Sequence, residues 1–151
     1  MDNSKSSQFS KAYDYAVFLL GIRLRTEGEL REKLRSKNYE LGIIDTVIKQ
    51  LIEQRFVNDR QYAEIFLDNL KKYKNFGFYG IKKKMMEKKL PPSIIESVLK
   101  EGLSVEEEMK IAKRFLKNYK LQITNYGEKQ KIALKLRAKG FRSEVIMKLV
   151  F

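Results

Sequence analysis

The chain has 151 residues, 32 basic and 19 acidic, for a net charge of +13, and it contains neither cysteine nor histidine. Disulfides and thiolate metal sites are excluded, and the commonest general base and metal ligand is missing. An enzyme is therefore not expected, nor a cofactor or metal, and the positive charge points to an anionic partner, nucleic acid ahead of a membrane surface.

The charge is graded along the chain. Residues 1–53 carry 9 basic and 8 acidic side chains, residues 54–104 carry 11 and 6, and residues 105–151 carry 12 and 5. The basic surface is thus expected on the later two thirds. Met1–Ser10 is polar, unlike a signal peptide, and the apolar run Ala16–Leu20 is far too short to span a bilayer. With no cysteine, a soluble cytoplasmic protein is the expectation.

Residues 1–10 read as a mobile arm. A first helix is expected over about Lys11–Arg25, with Tyr13, Val17, Leu20 and Leu24 on its apolar face, flanked by Ala16 and Leu19. Thr26-x-x-Glu29 has the form of a capping box and starts a second helix through Leu30 and Leu34. Asn38–Gly42 is a turn, and Ile43, Ile44, Val47, Ile48, Leu51 and Ile52 stripe a third helix. Asn58 or Asp59 caps a fourth, carrying Tyr62, Phe66, Asn69 or Leu70, and Tyr73. Gly77 and Gly80 interrupt the chain before a fifth helix with Ile81 and Met85. Pro91-Pro92 ends that helix and pre-sets the sixth, which bears Ile94, Ile95, Val98 and Leu99. Ser104-x-x-Glu107 caps a seventh through Met109, Ala112, Phe115, Leu116 and Tyr119. Asn125-x-x-Glu128 caps an eighth with Ile132, Ala133 and Leu136, Gly140 ends it, and Val145, Ile146 and Leu149 mark a ninth. No alternating strand pattern of useful length occurs.

These helices repeat. Leu30, Leu34 and Tyr39 return as Ile81, Met85 and Leu90, and again as Ile132, Leu136 and Phe141, each set 51 residues after the last. A constant interval of this kind marks a repeat architecture. The expected fold is all-α: three tandem three-helix repeats, residues 11–57, 58–103 and 104–151, in an elongated, curved solenoid, because each repeat alone is marginal and gains by stacking.

The densest basic stretch holds Lys71, Lys72, Lys74, Lys82, Lys83, Lys84, Lys88 and Lys89, interleaved with Tyr73, Phe76, Phe78 and Tyr79. Lysines bind phosphate oxygens with little regard to sequence, and nearby aromatics can stack on unpaired bases. Lys129, Lys131, Lys135, Arg137, Lys139 and Arg142 form a second basic face. In the first repeat, glutamates offset the arginines, with Glu29–Lys33 expected as an intrahelical pair. Glu106, Glu107 and Glu108 read as first-turn acids favoured by the helix dipole, and Asp59 as a cap. No phosphate-cradling glycine loop is present.

The run Phe56-Val-Asn-Asp59-x-x-Tyr62-Ala63 is similar to a boundary motif of the RecX regulatory proteins. Glu29-Leu30-x-x-Lys33-Leu34, Gly77-x-x-x-Ile81 and Lys139-Gly140-Phe141 extend the resemblance from about Ala12 to the C-terminus. Two positions depart from it: Arg55 stands where glycine is frequent, so that turn is expected to be built differently, and Lys88-Lys89 replaces a lysine–glycine pair. The resemblance implies a modulator, usually an inhibitor, of the bacterial RecA recombinase. Such proteins lodge on the RecA–single-stranded DNA filament and limit its extension, ATP hydrolysis, strand exchange and co-protease activity. The expected partners are that filament, single-stranded DNA and, secondarily, duplex DNA, with the protein itself a monomer. The alternatives are a general DNA-binding protein without a recombinase partner, and a helical adaptor.

Overall fold

The computed structural model of the protein describes residues 3–118 and 125–151. Among them every regular element is helical: α1 (Asn3–Ile22), α2 (Glu27–Ser36), α3 (Leu41–Glu53), α4 (Asp59–Tyr73), α5 (Phe78–Glu87), α6 (Pro92–Gly102), α7 (Val105–Asn118), α8 (Tyr126–Ala138) and α9 (Ser143–Val150). The all-α class with three helices per repeat is as expected. Tyr119 lies outside the described residues.

Contacts divide the chain into two compact units, Met1–Tyr62 with Lys88–Leu90, and Ala63–Glu87 with Pro91–Phe151. In the first, α1 and α2 pack on α3. Leu30 and Leu34 from α2 meet Ile44, Val47, Ile48 and Leu51 from α3, all essentially without exposure. Burying each such side chain is worth about 1.5–3 kcal/mol, which is why the helices need each other. In the second unit α5 packs on α6, and α7 and α8 pack on α9. Its buried residues include Ile81 and Met85 of α5, Phe115 of α7, and Ile132 and Leu136 of α8.

Two expectations about the first helix are corrected. α1 begins at Asn3, so the described part of the segment read as an arm is helical. Phe9 explains much of this: it packs against the core and stacks on Tyr13 one turn later, centroids 6.0 Å apart. The buried face is also rotated, to Ala12, Ala16 and Leu19, while Val17 and Leu24 are exposed. α4 shows the same rotation, burying Ala63, Leu67 and Leu70 and leaving Tyr73 exposed. Small alanines let the first helix of a repeat approach its neighbours closely, and an apolar count weighted towards large residues overlooks them.

The caps follow the sequence closely. Thr26 Oγ1 accepts from Glu29 N–H at 3.1 Å and the Glu29 carboxylate accepts from Thr26 N–H at 3.1 Å, completing the box. Asn58, Ser104 and Asn125 accept from Gln61, Glu107 and Glu128 N–H respectively. Pro92 occupies the first turn of α6. Arg55 adopts the left-handed conformation (φ 64°), so glycine's usual turn is made here without glycine.

The turn between second and third helices is left-handed in every repeat, at Asn38, Lys89 and Gly140, again 51 residues apart. This turn meets the start of the second helix of the preceding repeat. Thr26 Oγ1 donates to the Lys88 carbonyl at 2.6 Å. At the corresponding place one repeat later, Gly77 N–H donates to the Lys139 carbonyl at 3.0 Å and Tyr79 N–H to the Gly140 carbonyl at 2.7 Å. The backbones approach so closely that a side chain on Gly77 or Gly140 would collide with the opposite chain. The same sequence positions, 51 residues apart, thus meet at both joints, through the Thr26 side chain in the first and through the backbone in the second.

Candidate nucleic-acid interface

Two acids secure the helix starts that border the basic region. Asp59, at the head of α4, accepts the Glu27 N–H at 2.9 Å and so caps α2; Asn58 caps α4 itself. Glu108 is fully buried and accepts from Phe78 N–H (3.1 Å), Arg142 N–H (2.8 Å) and Arg142 Nε (2.5 Å). It thus caps α5 and holds the head of α9. Each acid stands four residues before a repeat alanine, Ala63 or Ala112, and each caps a helix start 51 residues from the other's. Reading Glu108 only as a first-turn acid favoured by the helix dipole misses this. The signal available in sequence is the shared offset from the alanine.

Several candidate cations are engaged in the scaffold. Arg142 also donates to the Leu103 carbonyl at 3.1 Å and lies over the Phe78 ring at 4.5 Å, so it is a structural residue. Lys71 donates to the Gly102 carbonyl at 2.7 Å and pairs with Glu107, tying α4 to the α6–α7 junction. Lys72 pairs with Asp68 (3.0 Å) and Lys89 with Glu32 (2.9 Å), both near the surface; Asp68 accordingly raises the Lys72 pKa. Lys88 and Lys82 are half-buried, and Lys74, Lys83, Lys131, Lys135 and Arg137 are exposed. Arg114 was missed: its guanidinium donates to Asn75 Oδ1 (2.9 Å) and the Lys71 carbonyl (2.8 Å), neutralising the carbonyl end of α4.

In the first repeat the expected Glu29–Lys33 pair is replaced. Glu29 pairs with Arg23 at 3.0 Å, and Arg31 takes the i,i+4 position with Glu27 at 3.1 Å while also reaching Asp45. The charges there do largely offset one another, as anticipated.

The aromatic residues separate into two kinds. Tyr73 and Tyr79 are exposed, Tyr79 lying edge-on to Phe78 (83°, 5.3 Å). Phe76 is half-buried, with Lys84 Nζ 5.3 Å and Lys139 Nζ 5.2 Å from its ring centre. Lys139 Nζ also lies 5.7 Å from the Phe115 ring. Phe76, Phe115, Lys135, Ala138 and Lys139 line a cleft of about 330 Å³. Of the candidate residues, Lys84, Lys135, Lys139 and Phe76 are thus brought together, and Lys71 and Arg142 are withdrawn to structural work. Among the described residues no acidic cluster is arranged to hold a metal ion, and no helix is long and apolar enough to cross a membrane.

These features define a basic, all-α tandem-repeat protein with a cation-lined cleft in its second unit. Comparison with known proteins narrows the class. Residues 12–51 match the first three-helix domain of RecX. Over 135 residues the chain is 32% identical to the Regulatory protein RecX of Streptococcus pneumoniae strains CGSP14 and P1031, an alignment covering 89% of this chain and 52% of theirs. Its fold matches the crystal structure of RecX from Lactobacillus salivarius with a TM-score of 0.85 and 26% identity, over 95% of this chain and 94% of that one. A second crystal structure, of a regulatory protein RecX, matches in fold at a TM-score of 0.82. The chain belongs to the RecX family. It spans about half the length of the Streptococcus relatives it matches.

Proposed function

We propose that the protein is a non-catalytic regulator of the RecA recombinase that binds the RecA–single-stranded DNA filament and limits its extension. ATP hydrolysis, strand exchange and co-protease activity would fall together, placing the protein in DNA repair and the SOS response. The observation that carries this reading is the relationship to Regulatory protein RecX along 89% of the chain. The charge distribution supports it, since residues 54–151 hold 23 of the 32 basic side chains and so offer a surface suited to a DNA-containing filament. The second reading, a DNA-binding protein without a recombinase partner, draws its support from the exposed lysines alone.

The test is the RecA ATPase rate on single-stranded DNA with the protein added below stoichiometric amounts. Inhibition that excess DNA does not relieve is expected from direct action on the filament. An unchanged rate, or inhibition abolished by excess DNA, would reject the regulator reading and favour competition for the DNA lattice.

A further inference from the structure

The cleft lined by Phe76, Phe115, Lys135, Ala138 and Lys139 differs from the surrounding basic surface in how its cations are held. Lys139 follows α8 directly. Its N–H donates to the Lys135 carbonyl (3.2 Å) and its own carbonyl accepts from Gly77 N–H (3.0 Å). The backbone that carries this side chain is therefore fixed at both groups. Gly80 packs against the same carbonyl so closely that a Cβ there would lie 2.5 Å from it. Lys84 of α5 approaches the ring of Phe76, which lines the cleft, with Glu87 3.7 Å away as a loose partner. Because Lys84 and Lys139 both approach one ring centre, their ammonium groups can be no farther apart than the sum of those two short distances. Each ammonium group is thus attracted to the same ring, which helps to order both side chains.

We propose that this cleft binds the sugar–phosphate backbone of a single strand of nucleic acid, with Lys84, Lys135 and Lys139 on the phosphates and neither phenyl ring stacked on a base. The proposal deepens, and rests on, the DNA-binding part of the function proposed above. It reverses the sequence-based expectation for Phe76. That ring already carries the two ammonium groups, so its role is to position cations. A single strand can thread a recess of this size phosphate by phosphate, whereas a stiff duplex meets only its rim. Recognition here is independent of sequence, since phosphate contacts carry none.

The experiment compares the full chain with Lys84→Gln/Lys139→Gln and with Phe76→Leu. Fluorescence anisotropy would be read over a salt series with an oligothymidylate of about twenty nucleotides and an abasic strand of equal length. Thermal melts establish that each variant is folded. Wild-type protein is expected to hold the two strands within about threefold of each other, because stacking contributes nothing here. The double glutamine variant should bind both about twentyfold more weakly at ~0.1 M salt, with the slope of log affinity against log salt reduced by about 1.4, the value for two lost single-strand phosphate contacts. Phe76→Leu should weaken both strands equally and by only a few fold. Overturning results are a loss in Phe76→Leu confined to oligothymidylate, or affinity and slope unchanged in the double variant. The two proposals fail separately. Wild-type protein that grips the strands as described yet leaves the RecA ATPase untouched removes the regulator reading and keeps the cleft. Intact inhibition with a double variant that binds strands like wild type removes the cleft and keeps the regulator.

Discussion

At Asp59 a partly shielded carboxylate accepts the Glu27 N–H at 2.9 Å. Burial raises its pKa above the ordinary aspartate value, the nearby charges of Glu27 and Glu29 push the same way, and the backbone hydrogen bond opposes them. A carboxyl whose pKa rises on folding binds more protons in the folded state. Its contribution is therefore most favourable below the ordinary aspartate value and declines as pH rises through the raised one. Glu29 runs the other way. Burial alone would raise its pKa, but the bonds from Arg23 and Thr26, with the charges of Arg23 and Lys88, outweigh burial and lower it. Stability from Glu29 is thus complete above the ordinary glutamate value and lost as pH falls through the lowered one. Asp59→Asn retains an acceptor for Glu27 N–H without the charge, so urea unfolding should find it within about 0.5 kcal/mol of wild type at neutral pH, with a weaker decline on the alkaline side of pH ~4. Asp59→Ala removes the acceptor and should cost about 1 kcal/mol. Equal losses in the two variants would show that the cap is not what Asp59 supplies. Glu29→Gln should be destabilised at neutral pH and converge on wild type as pH falls through the lowered Glu29 pKa, where both residues are neutral.

The elements are joined by a pattern that only alignment of the repeats reveals. In the first joint glycine lies on the helix side, at Gly28, and the turn bears a side chain, Lys89. In the second joint the positions 51 residues on are exchanged: Tyr79 lies on the helix side and Gly140 on the turn. At each joint one of the two positions is glycine, and a Cβ added there would collide with the facing segment. A Cβ at Gly28 would lie 2.6 Å from Lys89 Cβ and 2.8 Å from the Lys89 carbonyl oxygen. Gly28→Ala is therefore expected to cost about 1–3 kcal/mol by overpacking. Lys89→Gly relieves a left-handed non-glycine residue, and in the double variant it should recover about 1 kcal/mol of the Gly28→Ala loss. Strict additivity in that cycle would contradict the shared-space account. Glu108 ties elements together more strongly. With Glu108→Gln a side-chain amide meets a site built of N–H donors, and Arg142 loses its carboxylate, so about 3 kcal/mol should be lost. The loss belongs to the second unit, and hydrogen exchange should show α5 and α9 opening while α1–α3 keep their protection. Uniform loss of protection would refute that assignment.

For the molecule as a whole, helix number, order and caps were legible because they rest on local chemistry: Thr26 with Glu29, Pro92, and the recurring apolar spacing. The rotated faces of α1 and α4 were not, since Ala12, Ala16 and Ala63 matter through closeness of approach and add little apolar bulk. The candidate site was legible only as charge. Sequence displays Lys71 and Arg142 as cations like any other, but their partners Gly102, Glu107, Leu103 and Glu108 are some 30 to 40 residues away along the chain. What survives this sorting is a gradient: net +1 over residues 1–53 against +12 over residues 54–151. A field of this kind governs association with a polyanion and leaves the fold indifferent, so it predicts an asymmetry between equal changes of charge. Lys33→Glu/Lys49→Glu alters two exposed lysines of the first repeat, and Lys83→Glu/Lys131→Glu two exposed lysines of the later repeats. Both pairs change the net charge by the same amount, and neither touches the residues of the cleft. If the later repeats meet the nucleic acid, the second pair should weaken binding to single-stranded DNA about tenfold or more at ~0.1 M salt and flatten the salt dependence, while the first pair changes it by less than about threefold. Equal losses would mean that only total charge matters and that the gradient along the chain has no bearing on where the strand lies.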